Sequence, residues 1–181
     1  MNKTVIINML AGPGVGKSTQ SAHLFYELKK RHINVEITNE YAKFLVYEES
    51  YKKIKNQLYL FAKQHNQIYR LNGIVDIIIM DSPLILSAIY DLNKSSELKD
   101  LIMYEHNKLN NLTYFLQRET EYKAEGRYHN LEQAIEVDNK ILSFMDENKV
   151  EYKRVGISNI VNTILEDLSK YEKFSTQLQL S

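Results

Sequence analysis

The chain has 181 residues, with 23 Lys and Arg against 23 Asp and Glu, and it contains no cysteine. That length fits a single domain with a sizeable core, and the balanced charge gives no net field to draw in a long polyanion. Without cysteine there is neither a disulfide framework nor a thiolate metal site, which suits a cytoplasmic chain.

Residues 3–10, KTVIINML, are apolar and partly β-branched, turn residues follow at once, and the run reads as a buried strand. Asn8 interrupts it, and it is too short for a signal core or a membrane span, so a soluble protein with no membrane partner is expected. Over residues 19–32, Ala22, Phe25 and Leu28 recur at helical spacing and KKRH puts positive charge in the last turn. INVEIT (33–38) alternates as a second strand. A helical region is expected over 41–71, with Ile54, Leu58, Phe61, His65 and Ile68 on one face. IVDIIIMD (74–81) is nearly all apolar and suits a central parallel strand.

A helix around 97–109 precedes LTYFL (112–116), a fourth strand, and residues 118–130 are polar and end the pattern. A long helix then carries a stripe of Leu131, Ala134, Ile135, Ile141, Leu142 and Met145, and VEYKRVGI (150–157) forms a fifth strand. Ile160, Val161, Ile164, Leu165 and Leu168 line a last helix, with Ser158 as its expected cap. Residues 172–181 show no period and are expected to fray. Strands alternating with helices imply right-handed crossovers: an α/β domain over 1–171, with a parallel five-stranded sheet and helices on both faces.

The stretch LAGPGVGKST (10–19) interrupts this pattern with three glycines and a proline. It matches the phosphate-loop pattern of Gly, four residues, Gly, Lys and Ser or Thr, with Ala11 in place of the first glycine. In such a loop the backbone amides of Gly12, Pro13's neighbours, Gly14, Val15, Gly16, Lys17, Ser18 and Thr19 wrap a phosphate, and the helix that follows adds its positive end. Lys17 is expected to reach the β and γ phosphates of ATP, and the Ser18 hydroxyl to hold Mg²⁺. The second landmark is an acid ending a buried strand; Asp81 closes IIIMD and is the expected partner of the magnesium or its water.

NEYAKFL (39–45), DSPLILSAIYD (81–91) and FLQRETEYKAEGRYHN (115–130) resemble blocks of bacterial ribosylnicotinamide kinases and the wider group of small nucleoside and nucleotide kinases. The likeness spans residues 4 to about 165 and implies the three-layer P-loop NTPase fold with a short lid at about 118–130. In that group the acid after the second strand faces the acceptor hydroxyl, which makes Glu40 the candidate base or substrate anchor. A hydroxyl must lose its proton as it attacks, whereas a phosphate acceptor needs cations, so Glu40 favours a nucleoside-like alcohol. Arg118 and Arg127 bracket the lid segment and are expected to neutralise charge on the transferring phosphoryl. Asp138, on the apolar stripe of the next helix, is expected to pair with a lid arginine or a backbone amide. Gln57 and Gln64 share a helix face; glutamine in this helix reads a base edge in deoxynucleoside kinases, but exposed residues are the expectation here. His65 is expected to be a hydrogen-bonded boundary residue, and most tyrosines to be filler.

Three functions fit this sequence: an ATP and Mg²⁺-dependent kinase of a small nucleoside-like molecule such as ribosylnicotinamide or a deoxynucleoside; a kinase acting on a nucleoside within nucleic acid or on a polynucleotide end; and a nucleotide-binding regulatory protein. The zero net charge disfavours the nucleic-acid reading. LNKSSE (92–97) lacks the aspartate of a guanine-reading Asn-Lys-x-Asp motif, which leaves ATP and GTP both open as donor.

Overall fold

A computed structural model describes residues 4–119 and 131–179. Its centre is β1 (Val5–Leu10), every residue of which is buried. Apolar side chains on both faces of a strand require cover on both faces, and the chain supplies it in two layers. Val5, Ile7 and Met9 pack with Leu24 and Leu28 of α1 (Lys17–Lys30), Ile160, Val161, Ile164 and Leu168 of α8 (Ile160–Ser169) and Phe174 of α9 (Glu172–Gln179). Ile6 and Leu10 point the other way, into Phe61 and Ile68 of α4 (Gln57–Leu71), Ile102 of α6 (Ser96–Asn107) and Val137, Ile141 and Met145 of α7 (Leu131–Glu147).

The remaining strands are β2 (Val35–Thr38), β3 (Ile77–Met80), β4 (Asn110–Gln117) and β5 (Lys153–Gly156). The sheet order is β2-β3-β1-β4-β5 and every pairing is parallel. The chain goes from β1 to the edge strand β2, returns to β3 between them, and then crosses to β4 on the other side of β1, so the direction of winding reverses beside β1. Ligands of open α/β sheets bind at such a reversal, beyond the carboxyl ends of the strands. Asn8, the polar break in β1, is buried between strands, and its amide donates to Asn111 Oδ1 at 2.9 Å.

Several elements differ from the sequence pattern, each for a local reason. The helical region over 41–71 is three helices, α2 (Tyr41–Tyr47), α3 (Tyr51–Ile54) and α4. Glu49 adopts the left-handed conformation between the first two, and Asn56 caps α4 by accepting from Tyr59 N at 3.0 Å. Leu58 is exposed, while Gln57 and Gln64 are buried, because α4 presents the Gln57–Leu60–Phe61–Gln64–Ile68 face to the sheet. In α1 the buried stripe is Ser21, Leu24 and Leu28 instead of Ala22, and the Ser21 hydroxyl contacts Met9 Sδ at 3.4 Å. In α7 Leu131 and Ile135 are exposed, since the helix turns Ala134, Val137, Ile141 and Met145 inward. Ser158 does not cap α8, whose N-cap is Asn159; its amide instead donates to Glu119 Oε2 at 2.9 Å. A short helix α5 (Leu86–Ile89) follows β3.

Residues 172–179, where the sequence shows no period, form α9. Phe174 anchors them: it is 1% exposed and packs in the core layer with α1 and α8. Among the described residues no helix is long and apolar enough to cross a membrane.

Phe174→Ala is expected to lower unfolding stability by about 3–5 kcal/mol, the range for emptying a buried aromatic site. Urea unfolding measures it; a change below about 0.5 kcal/mol, as at an exposed position, would mean that α9 is not docked.

Candidate active site

The parallel sheet places the end of each strand at one edge, and the residues singled out by the sequence lie there. The loop of residues 11–16 follows β1, Glu40 follows β2, Asp81 follows β3 and Arg118 follows β4. Arg127 lies outside the described residues, as does most of the expected lid at 118–130.

The loop backbone takes conformations that its glycines permit. Gly14 has φ 82° and Gly16 φ 103°, the left-handed region in which a side chain is strained. Gly16 is the N-cap of α1, so this turn delivers the chain into the helix at Lys17. Gly12 is a glycine for another reason. A Cβ there would sit 2.6 Å from the Ala134 carbonyl oxygen and 2.8 Å from Asp138 Oδ1. Helix α7 therefore packs directly on the loop backbone, which explains why position 12 needs a glycine.

Lys17 is half-buried, and its Nζ donates to the Ala11 carbonyl at 2.9 Å, across the loop. Burial lowers its pKa; Asp81, Glu40 and Asp138 pull it back up, and Arg118 pushes it down. Ser18 Oγ donates to Asp81 Oδ2 at 2.6 Å, tying the start of α1 to the end of β3. Asp81 is 9% exposed, and its Oδ1 is buried without a hydrogen-bond partner. A buried carboxylate oxygen in that state suits a cation or its water. The hydroxyl and carboxylate thus fit magnesium. Among the described residues no group of three or more His, Cys, Asp or Glu is placed to hold a metal ion, so such an ion would draw its other ligands from phosphate oxygens and water.

Glu40 is the N-cap residue of α2, yet its side chain makes no capping hydrogen bond. Burial raises its pKa above the ordinary glutamate value, Lys17 lowers it, Asp81 raises it and Lys43 lowers it. Lys17 and Asp81 are thus its neighbours. Arg118 Nη1 donates to the Pro13 carbonyl at 3.0 Å, and Nη2 pairs with Asp138 Oδ2 at 3.0 Å. Asp138 Oδ1 accepts from Gly12 N. Asp138 meets both an arginine and a backbone amide, and its acidic place on an apolar stripe was the signal in the sequence.

Beside Glu40, Gln64 Nε2 donates to the Asn39 carbonyl at 3.4 Å, and Gln67 Nε2 donates to Gln64 Oε1 at 2.8 Å. Tyr41 and Tyr59 share a hydroxyl contact of 2.8 Å. Alternation and spacing could not identify these contacts, because they depend on how α2 and α4 meet. His65 sits at the boundary, its Nε2 3.3 Å from Glu105 Oε2.

No protein-family model matches the chain, and no curated protein sequence matches it. Two solved structures of a deoxyadenosine kinase from M. mycoides resemble it: one with products dCMP and a flexible dCDP bound, the other with dCTP bound. Their TM-scores are 0.56 and 0.55, each at 19% identity, covering 93% of this chain and 100% of that one. The chain shares with them the α/β P-loop NTPase fold, a five-stranded parallel sheet with helices around it.

The raised pKa of Glu40 has a consequence for stability. The folded state holds this proton more tightly than the unfolded chain, so Glu40 favours folding below the unfolded glutamate pKa, and that advantage is lost as pH rises through the folded value. Glu40→Gln should therefore raise the melting temperature at neutral pH and change it least near pH 4, about the lower end of the glutamate range. Melting curves across that interval test this; an equal effect at both ends would mean that burial does not govern Glu40.

Proposed function

We propose that this chain is a phosphotransferase that moves the terminal phosphoryl group of ATP to a hydroxyl of a small nucleoside-like molecule. The observation that carries the proposal is the convergence, at one edge of the sheet, of a phosphate loop, the bonded Ser18–Asp81 pair and a half-buried Glu40. The fold shared with deoxyadenosine kinase supports it.

The loop amides and the start of α1 would bind the donor phosphates, with Lys17 beside them. Ser18 and Asp81 would hold magnesium, which when bound neutralises charge on phosphate oxygens. Glu40 would orient the acceptor hydroxyl and take its proton during attack; its raised pKa, nearer to working pH, strengthens it as a base. Arg118, already against the Pro13 carbonyl, would offset charge on the transferring group. Arg127 is assigned the same task from the lid. The carboxylate of Glu40 at the acceptor end favours an uncharged alcohol over a phosphorylated acceptor, which it would repel.

The acceptor is proposed to be ribosylnicotinamide or a deoxynucleoside. The second of these gains weight from the deoxynucleotides that the M. mycoides enzyme is described with. A panel of nucleosides and ribosylnicotinamide, each incubated with protein, magnesium and labelled ATP or GTP, reads which one gains phosphate. Lys17→Ala is expected to lower turnover by at least about a hundredfold, the scale of removing one stabilising charge from such a transition state. Glu40→Gln should lose transfer while keeping ATP affinity. Full turnover in Glu40→Gln would remove it as the base. Tight nucleotide binding with no acceptor-dependent turnover would instead indicate a regulatory protein, and steep salt dependence of acceptor binding a nucleic-acid substrate.

A further inference from the structure

Asp138 stands apart from the other charged groups of the site. Asp81, Glu40 and Arg118 each follow a strand end, whereas Asp138 comes from α7. Its side chain is 15% exposed, and its two oxygens serve two different elements. Oδ1 accepts from Gly12 N, at the entry to the phosphate loop, and Oδ2 pairs with Arg118 Nη2 at 3.0 Å. Arg118 Nη1 returns to the Pro13 carbonyl at 3.0 Å, the residue next to Gly12. The contacts close a circuit from α7 to the loop, from the loop to the residue after β4, and back to α7. Gly12 leaves no room for slack in it, with the Ala134 carbonyl only 2.6 Å from where its Cβ would lie.

We propose that Asp138 is a positioning residue that holds the Arg118 guanidinium at the phosphate loop and sets the entry of that loop. The proposal rests on reading this site as one that binds a nucleoside triphosphate. An arginine side chain has many rotamers, and a single carbonyl bond does not select one; a carboxylate bonded to the same fork does. The arrangement also explains how a negative group is tolerated beside a polyanion site: Arg118 compensates Asp138, and removing Arg118 takes that compensation away at a half-buried position.

This gives a signature that a purely structural role lacks. Asp138→Asn keeps a carbonyl oxygen for Gly12 N, removes the charge, and turns the acceptor facing Arg118 Nη2 into an amide donor, so the pair that fixes Arg118 is lost. In the native background it should weaken ATP binding and lower kcat. In the Arg118→Ala background the same substitution removes an uncompensated negative charge near the phosphates, so it should leave affinity unchanged or improve it. Calorimetry with ATP and magnesium on the four proteins of this cycle, with melting temperatures and turnover alongside, tests it. The expected loss for Asp138→Asn alone is about tenfold in affinity, within the range for directly coupled residues. Asp138→Ser, which loses the charge and is too short to reach Gly12 N, serves the same cycle should the asparagine variant misfold, with its effect on the loop entry read from the Arg118→Ala background.

Equal losses in both backgrounds, or a lower melting temperature with affinity and kcat intact, would overturn the proposal. Native protein that binds ATP but phosphorylates no acceptor would overturn the phosphotransferase reading alone, since the affinity cycle still decides the role of Asp138. Native protein that binds no ATP would overturn both.

Discussion

The site depends on how one short piece of backbone is held. A loop that presents its amides to a common anion must keep them out of ordinary secondary structure, and the conformational freedom of its glycines makes that ordering costly. Here the ordering comes from outside the loop. β1 enters it from a core that is buried on both faces, α1 leaves it through the left-handed Gly16, and α7 presses on Gly12 from the side. The Ser18–Asp81 bond then fixes the start of α1 against the end of β3. Each contact joins a different element to the loop, so its shape reflects the whole sheet and not its own sequence alone.

A chain with no net charge gathers at this edge a lysine, an arginine and three carboxylates. The burial that lowers the pKa of Lys17 and raises that of Glu40 is also what makes each interaction there stronger than it would be in water. The charges are distributed with some order. Arg118 and Lys17 both bond to loop carbonyls, of Pro13 and Ala11, which places the positive groups on the phosphate side. Glu40 lies beyond them at the start of α2. Asp81 and Asp138 lie at the loop as well, tied to Ser18 and to Arg118 and Gly12 N; under the proposed function this mixed charge suits a polyanion held together with a cation.

Much of this was legible in the sequence where a residue's position follows from strand and loop alone. The five strands and their alternation with helices came from apolar runs and turn residues, and the four strand-end positions followed from them. The helices between β2 and β3 did not, because one apolar period was carried through a left-handed Glu49 and across the Asn56 cap. Gln57 and Gln64 look like surface residues by type and are buried by geometry. The docking of α9 through Phe174 was invisible to periodicity, since one aromatic anchor in a polar helix makes no stripe. Asp138 was conspicuous as an acid among apolar neighbours, but only the packing of α7 on Gly12 gives it a partner.

The contrast has a physical origin. Under the proposed function phosphate would be gripped mainly by backbone amides, which every sequence possesses, so that half of the site needs few particular side chains. The other half is made of side chains on α2 and α4: Glu40, the Gln64 and Gln67 pair against the Asn39 carbonyl, and the Tyr41 and Tyr59 hydroxyls. Those elements are short, their junctions depend on single residues such as Glu49, and their packing against the sheet turns on a few contacts. Substitutions there re-aim several polar groups together without disturbing the loop or the core. On the proposed function, acceptor choice would change with these side chains while the donor end stays fixed, which leaves the acceptor to be decided by chemistry at the end of β2.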